Sequence, residues 1–341
     1  MEENILTPEE ITKYHTAAVI CKKVYNELKE LIKQGERDIR VLSDLGNCKI
    51  ELELNKIYKK ENKYIGFPVS ISLNNCVGNY VYDSEKDEFN IIKDDDIIKI
   101  ELGVNIGGCI SILGETFTIS NVEWVEKANN FLIKLQKKIL KLVENGYTGD
   151  DLRMYIESEC TKVDMFPVEN TISYQSERDF LKTSDSKYFI LNNVKVFDQD
   201  ENLISPEFIN YEFETNDIYN INLSIIPTCD NKIVIKNHEK SHLYTLNDYT
   251  YQLKMKSSRA FYNTIKSKHY FNPFEIEKYL QDKTFKMGKL ECIKNYILEP
   301  LPISFVKEKT NDGKLIDSLP VIIKKFTILV KETSPAKLVG S

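Results

Sequence analysis

Apolar and polar residues recur along this chain with two different periods, and the switches between them mark out its elements. Thr7-Pro-Glu-Glu10 sets a capping threonine before a proline at the first helical position. From there the apolar stripe Ile11, Ala18, Ile20, Val24, Leu28 and Leu31 predicts a helix to about Lys33. Further helices are predicted over Asp38 to Lys56, over Val122 to Asn145 with Gly146 closing it, and from Thr148 to Cys160. Strand signals fill about 68–73, 97–103 and 107–120, residues 166–228 are mostly β, and 302–308 and 320–331 return to strand. The polar run Asp198-Gln-Asp-Glu-Asn202 reads as an exposed hairpin loop. Residues 245–300 differ in character, with short basic helices expected around Ser257–Lys268, Pro273–Leu280 and Lys289–Leu298.

An internal echo adds organisation. Asp96-Ile-Ile-Lys-Ile-Glu-Leu102 and Asp217-Ile-Tyr-Asn-Ile-Asn-Leu223 share the pattern D-I-x-x-I-[E/N]-L, with Glu101 and Asn222 at the same place in it. In both, isoleucine and leucine alternate with polar residues, as they do in a strand. A pair of ordinary half-buried strands would give this pattern, but together with the site positions assigned below it leads us to expect equivalent strands in the two halves of a pseudo-symmetric sheet.

Composition narrows the class. A chain of 341 residues buries a large core, and length alone allows two or three domains. No apolar run approaches the ~18 residues of a membrane span, and the acidic start Met1-Glu-Glu-Asn4 is unlike a secretory signal. Seven cysteines without a C-x-x-C pair favour reduced thiols in the cytosol or nucleus, each expected as a small buried apolar residue.

The ordered runs Lys56-Ile-Tyr-Lys-Lys60, Phe67-Pro-Val-Ser-Ile-Ser-Leu-Asn-Asn-Cys-Val-Gly-Asn79, Ile98 to Gly108, Leu253-Lys-Met-Lys-Ser-Ser-Arg-Ala-Phe261, Met287-Gly-Lys-Leu-Glu-Cys292 and Phe326-Thr-Ile-Leu-Val330 resemble type II methionine aminopeptidases. They resemble more closely the non-catalytic relatives of those enzymes, the proliferation-associated, Erb-receptor-binding proteins. The resemblance spans about residues 8 to 331. It implies an α/β (α+β) pita-bread fold made of residues 1–244 and 301–341, with residues 245–300 as a small helical insertion.

The resemblance also locates the positions where the active enzymes hold two metals. A two-metal hydrolase needs several carboxylates and usually a histidine converging on one point. Here the substrate-contacting histidine falls on Asn79 and the first aspartate on Glu101, while the second aspartate falls on Ile112. The metal-binding histidine falls on Tyr174, the next glutamate on Asn222 and the last on Lys325. One carboxylate in five ligand positions implies a pseudo-enzyme with no catalytic residues, no bound metal and no cofactor. Lys325 and Glu101 are expected to approach one another, the ammonium standing where the metal was, because an unpaired charge in such a pocket costs several kcal/mol.

Charge suggests what such a protein binds. Residues 231–341 hold 20 Lys and Arg against 11 Asp and Glu, leaving 26 against 41 for residues 1–230, so an overall −6 hides a dipolar molecule. Basic residues cluster at Lys56, Lys59, Lys60 and Lys63 in a predicted loop, and at Lys254, Lys256, Arg259, Lys266 and Lys268 in the insertion, with Lys283, Lys286, Lys289 and Lys294 following. Arg259, Tyr262 and Lys266 share one helical face by their spacing. By charge alone such lysines are more often solvated faces. The resemblance implies that both regions dock on ribosomal RNA and protein of the large subunit near the tunnel exit. It thus predicts a ribosome-associated protein of the cytoplasm or also the nucleus, monomeric when free, acting in subunit biogenesis or export, translation or ribosome dormancy. A protein-binding signalling or transcriptional scaffold and a peptidase with an altered site are the alternatives. Animal members carry a Lys-rich tail, whereas this sequence ends soon after its last strand, and the acidic stretch Lys195–Asn210 has its own sequence.

Overall fold

The computed structural model describes residues 6–82, 90–183, 185–192, 211–228, 232–249, 251–317 and 319–339. In chain order the helices are α1 (Pro8–Lys33), α2 (Ile39–Lys56), α3 (Glu123–Leu142), α4 (Gly149–Thr161), α5 (Lys256–His269) and α6 (Lys283–Lys294). The strands are β1 (Lys63–Leu73), β2 (Cys76–Gly78), β3 (Ile97–Ile106), β4 (Cys109–Thr118), β5 (Met165–Pro167), β6 (Thr171–Ser176), β7 (Tyr188–Leu191) and β8 (Ile218–Pro227), then β9 (Lys232–Asn237), β10 (Leu243–Leu246), β11 (Phe274–Glu275), β12 (Leu298–Leu301), β13 (Ser304–Lys309), β14 (Leu315–Ile316), β15 (Ile322–Leu329) and β16 (Lys337–Leu338).

Local chemistry sets the helix starts. Thr7 and Glu10 form a reciprocal capping box at α1, and Asp38 and Thr148 accept backbone N–H groups at the starts of α2 and α4. The expected stripe on α1 is shifted slightly: Ala17, Ile20, Val24, Leu28 and Ile32 are buried, and Ile11, Ala18 and Leu31 flank them. The strand expected over 107–120 begins instead at Cys109. Gly107 and Gly108 both have positive φ and form a two-residue hairpin turn that joins β3 to β4. Likewise α3 stops at Leu142, because Val143 is extended.

A nine-stranded antiparallel sheet in the order β1-β3-β4-β15-β8-β6-β7 forms the centre, with β16 on β15 and β5 on β8. One half of its convex face packs on α1 and α2 through Ile98, Ile100, Leu102 and Val104, and the other half on α3 and α4 through Ile221, Leu223, Phe326 and Ile328. Each such side chain removed from water contributes about 1.5–3 kcal/mol. The echoed aspartates Asp96 and Asp217 immediately precede β3 and β8, which occupy matching places on either side of the central β4–β15 pair. The duplicated-strand expectation therefore has its counterpart in the sheet order.

The concave face is covered by a second sheet, β14-β13-β2 with β9, and by the segment running from β10 to β12. In that segment β10, β11 and β12 form a small sheet that shares a separate core with α5 and α6, built on Phe261, Ile265, Phe274, Cys292 and Leu298. Two of its predicted helices are corrected. Pro273–Leu280 forms β11 followed by a single 3-10 turn at Glu277–Tyr279, because Phe274 and Glu275 pair with Tyr244 and Leu243. The helix expected at Lys289–Leu298 starts six residues earlier, capped by Asp282, and ends at Lys294, and Leu298 enters β12. This segment is tied to β3 of the large sheet by an Asn105–Asn272 hydrogen bond of 3.0 Å and to α2 by an Asn47–Glu275 hydrogen bond of 2.7 Å. The stacked rings of Tyr64 and Tyr270 add a further contact.

Among the described residues six cysteines are free; five are buried as expected and Cys48 is exposed. Cys229 and the Asp198–Asn202 loop lie outside the described residues. Among the described residues no helix is long and apolar enough to cross a membrane.

The α5–α6 crossing depends on Gly288, where a Cβ would lie 2.7 Å from the Ser257 carbonyl oxygen and 3.1 Å from Phe261 Cβ. Gly288→Ala should therefore destabilise the protein by about 1–3 kcal/mol in urea melts. Hydrogen exchange should show the loss of protection concentrated in α5 and α6.

Candidate functional site

Four neighbouring strands bring one polar row across the middle of the concave face. Glu101 on β3 lies opposite Gly114 on β4, Gly114 opposite Lys325 on β15, and Lys325 opposite Asn222 on β8. Next to this row Tyr174 on β6 pairs with Asn220 on β8. Five of the six positions singled out in the sequence, Glu101, Ile112, Tyr174, Asn222 and Lys325, thus line one cavity of about 40 Å3 together with Phe67 and Asn220. Asn79 stands apart from it. At positive φ just beyond β2, its Nδ2 donates to the Pro302 carbonyl at 2.9 Å.

The centre of the cavity is an ion pair. Lys325 Nζ donates to Glu101 Oε2 at 2.7 Å, with the glutamate side chain 1% exposed and the lysine 20%. Gly114 makes the reach sterically open, since a Cβ there would come within 2.9 Å of Lys325 Cβ and 3.0 Å of its Cγ. On the far side Glu101 Oε1 has no hydrogen-bond partner and rests against Gly78, where a Cβ would be 2.7 Å away. Asn220 accepts from Thr327 Oγ1 at 2.7 Å through its Oδ1, and its Nδ2 is buried without a partner. Burial pushes the Tyr174 phenol well above its ordinary range, the Glu101 charge adding to the effect, so the group stays protonated.

This donor set does not fit a divalent ion. Its one carboxylate is already neutralised by an ammonium, and the other donors are an amide and a neutral phenol. Among the described residues no group of three or more His, Cys, Asp or Glu side chains is arranged to hold a metal.

Sequence alternation alone did not reveal Lys99. It shares the concave face of β3 with Glu101, where it is fully buried, and its Nζ donates to the Asn74 carbonyl at 2.6 Å. The strand signal marks this face as polar but does not show that a second layer covers it. Desolvation pulls the Lys99 ammonium down to about 8, against the opposing pull of Cys76, Glu101 and Asp96.

The basic residues divide into exposed and committed ones. Lys59, Lys60, Lys254, Lys256, Lys268 and Lys286 are exposed, and Lys56 is exposed while paired with Glu53 at 2.6 Å. Lys63 was expected in a loop but opens β1, and its ammonium donates to the carbonyls of Leu54 and Ile57 at the end of α2. Arg259 Nη1 holds the carbonyls of Leu253 and Lys254, each at 2.9 Å. Lys289 is half-buried over the Tyr244 ring at 4.7 Å. Lys266 lies over the rings of Tyr262 and Phe271, and Lys268 over that of Tyr279. Tyr64 on β1 stacks on Tyr270 at the end of α5, so the strand that follows the first basic cluster touches the C-terminal end of this helix, whereas Lys254 and Lys256 stand at its other end.

Two predictions follow from the cavity. Lys325→Ala leaves Glu101 buried and unpaired and should cost about 3–5 kcal/mol in urea melts, whereas Lys325→Met combined with Glu101→Leu should recover most of that loss. For Lys99, the unfolded chain with its ordinary value near 10.5 binds more protons than the folded one between about pH 8 and 10.5. Its stability contribution therefore rises with pH across that window, and below it the cost of burying the charge is constant. Lys99→Met should be more stable than the parent by up to ~3 kcal/mol at pH 7, an advantage that shrinks as melts are repeated from pH 8 to 10.5.

The sequence profile of metallopeptidase family M24 matches residues 12–183. A protein of Solanum tuberosum named ERBB-3 binding protein 1 is 28% identical over 96% of this chain and 81% of its own length. Proliferation-associated protein A of Dictyostelium discoideum is 26% identical over 99% of this chain and 84% of its own length. Among solved structures, a thermophilic Arx1 superposes with a TM-score of 0.77 at 20% identity, covering 98% of this chain and 92% of that one, which is a likeness of fold. A pita-bread sheet of this order, together with the matched half of the sequence, places the chain in metallopeptidase family M24, among its relatives named for ERBB-3 binding and proliferation.

Proposed function

We propose that this chain is a catalytically inert member of its family that docks on the large ribosomal subunit near the peptide exit tunnel. The observation that carries the proposal is the Glu101–Lys325 ion pair, which puts a cationic side chain at the position where the resemblance locates a metal. With that pair in place the one carboxylate of the cavity is already held by an ammonium, and the volume of about 40 Å3 leaves room for little more than a water molecule. A protein that keeps the scaffold without the chemistry acts by binding.

The basic surface supports the choice of partner. Lys59 and Lys60 beyond α2 are exposed, as are Lys254, Lys256, Lys268 and Lys286 of the α5–α6 segment, and Tyr64 on β1 stacks on Tyr270 of that segment. Lysines against a phosphate backbone release counterions and give affinity without base specificity, which suits a rigid module seated on structured RNA. The protein would act in the cytoplasm or nucleus, in subunit maturation, translation or dormancy.

Co-sedimentation with purified large subunits across a salt series tests this. Binding should be retained at low salt and lost progressively, and Lys254→Glu with Lys256→Glu should weaken it and lower the salt slope by about two. Both are better probes than Arg259, whose guanidinium holds the backbone in place. Absence of binding at every salt would overturn the ribosomal proposal and favour a protein-binding scaffold. Aminopeptidase turnover by the purified, metal-supplemented protein would overturn its inert character.

A further inference from the structure

Helix α2 carries two apolar stripes and buries one of them. Its inner stripe, Ile39, Leu42, Ile50 and Leu54, joins the core against the large sheet, and a Cβ at Gly46 would lie 2.8 Å from Val69. Asn47 locks this orientation, accepting from the Val69 N–H at 2.9 Å and donating to Glu275 at 2.7 Å. The second stripe therefore faces away from the core. In it Val41 is 43% exposed, Leu45 37% and Leu52 55%, and Cys48 is exposed with them. Spacings of four, three and four residues put these side chains on one line along the helix. Scattered exposed apolar residues are ordinary, but a line at a period of about 3.5 residues over three turns is the seam of a helix pair. On α1, Val19 is 56% exposed one turn before Lys23, which pairs with Glu53 of α2, so it widens the same apolar ground.

We propose that α2 pairs in parallel with α2 of a second copy of this chain, the stripe of Val41, Leu45, Cys48 and Leu52 in each meeting the other across a two-fold axis along the helices. The charges beside the seam select this partner. By helical spacing Asp44 and Glu51 flank the stripe on one side, and Lys49 and Lys56 flank it on the other. In a parallel pair the acidic flank of one helix faces the basic flank of its twin, so Asp44 meets Lys49 and Glu51 meets Lys56 of the second copy. An antiparallel pair would set acid against acid and base against base. These side chains are already steadied from within, Asp44 by Lys278 at 3.0 Å, Lys49 by Glu27 and Lys56 by Glu53. Asp44 is still 51% exposed and Lys56 62%, and a carboxylate or an ammonium accommodates a second partner. Because packing on the sheet already forms α2, pairing carries no cost of helix nucleation. Four seam residues per copy make less than a standard interface, so the dimer should be reversible and dissociate at roughly 10–500 μM. The resemblance implies a monomer for the free chain; the seam implies a departure from it as concentration rises. Self-association of this kind is independent of ribosomal docking.

Sedimentation equilibrium of the full chain over about 1 μM to 1 mM, without ribosomes, should show a monomer–dimer equilibrium. Leu52→Glu, at a position more than half exposed, should keep the parent's melting curve and weaken the dimer roughly 10-fold or more. Charge reversals report the orientation. Glu51→Lys should weaken the dimer roughly 2- to 5-fold at low salt, and Lys56→Glu added to the same chain should restore it. A short bis-maleimide should join two copies through Cys48, and Cys48→Ser should abolish the product. A monomer at every concentration, a dimer indifferent to Leu52→Glu or the lack of any Cys48-dependent product would overturn the proposal. Tighter association of Glu51→Lys would overturn the parallel pairing.

Discussion

A carboxylate and an ammonium held 2.7 Å apart in the middle of a sheet impose conditions on everything around them. Glu101 is almost wholly removed from water, so its charge must be balanced from within the molecule. Lys325 meets that requirement by extending across the neighbouring strand, which requires glycine at position 114 and an exact antiparallel register between β4 and β15. Gly78 must lack a side chain for β2 to close over the carboxylate. Two glycines, one register and the placement of a small second sheet all follow from keeping one charge pair dry.

Much of this was legible in the sequence, in proportion to how local each signal is. The capping threonines at Thr7 and Thr148 fixed helix starts to within a residue, because a cap is read from three or four neighbours. The D-I-x-x-I-[E/N]-L echo pointed to β3 and β8 as equivalents, and the resemblance located the positions that became the cavity lining. The approach of Lys325 to Glu101 followed from the cost of burying either charge alone. Failures occurred where long-range pairing overrides local pattern. Phe274 and Glu275 form a strand because β10 is beside them, and nothing within ten residues announces it.

The basic clusters were harder to read, since a lysine in a sequence does not tell what its ammonium touches. Lys63 serves two carbonyls at a helix end and Arg259 two in a loop, while Lys254 and Lys256 in the same stretch face water. A groove beside α5 illustrates the same limit from the other side. Tyr249, Tyr251 and Tyr262 look like dispersed aromatic residues, and their convergence with Lys266 depends on how α5 returns past the segment before it.

The place of β15 in the chain has a further implication. It sits at the centre of the largest sheet, hydrogen-bonded to β4 on one side and β8 on the other, yet among the described residues it is the last long strand in chain order. Until it arrives, the two halves of the sheet have open edges facing each other, and Glu101 waits for a partner 224 residues away. The halves can condense on their own helices early, and before this strand is inserted they share only lesser contacts such as Asn129 with the Thr116 carbonyl and Arg178 with Glu10. A chain stalled before residue 322 would therefore present two sticky half-sheets, and β15 works as the keystone of assembly.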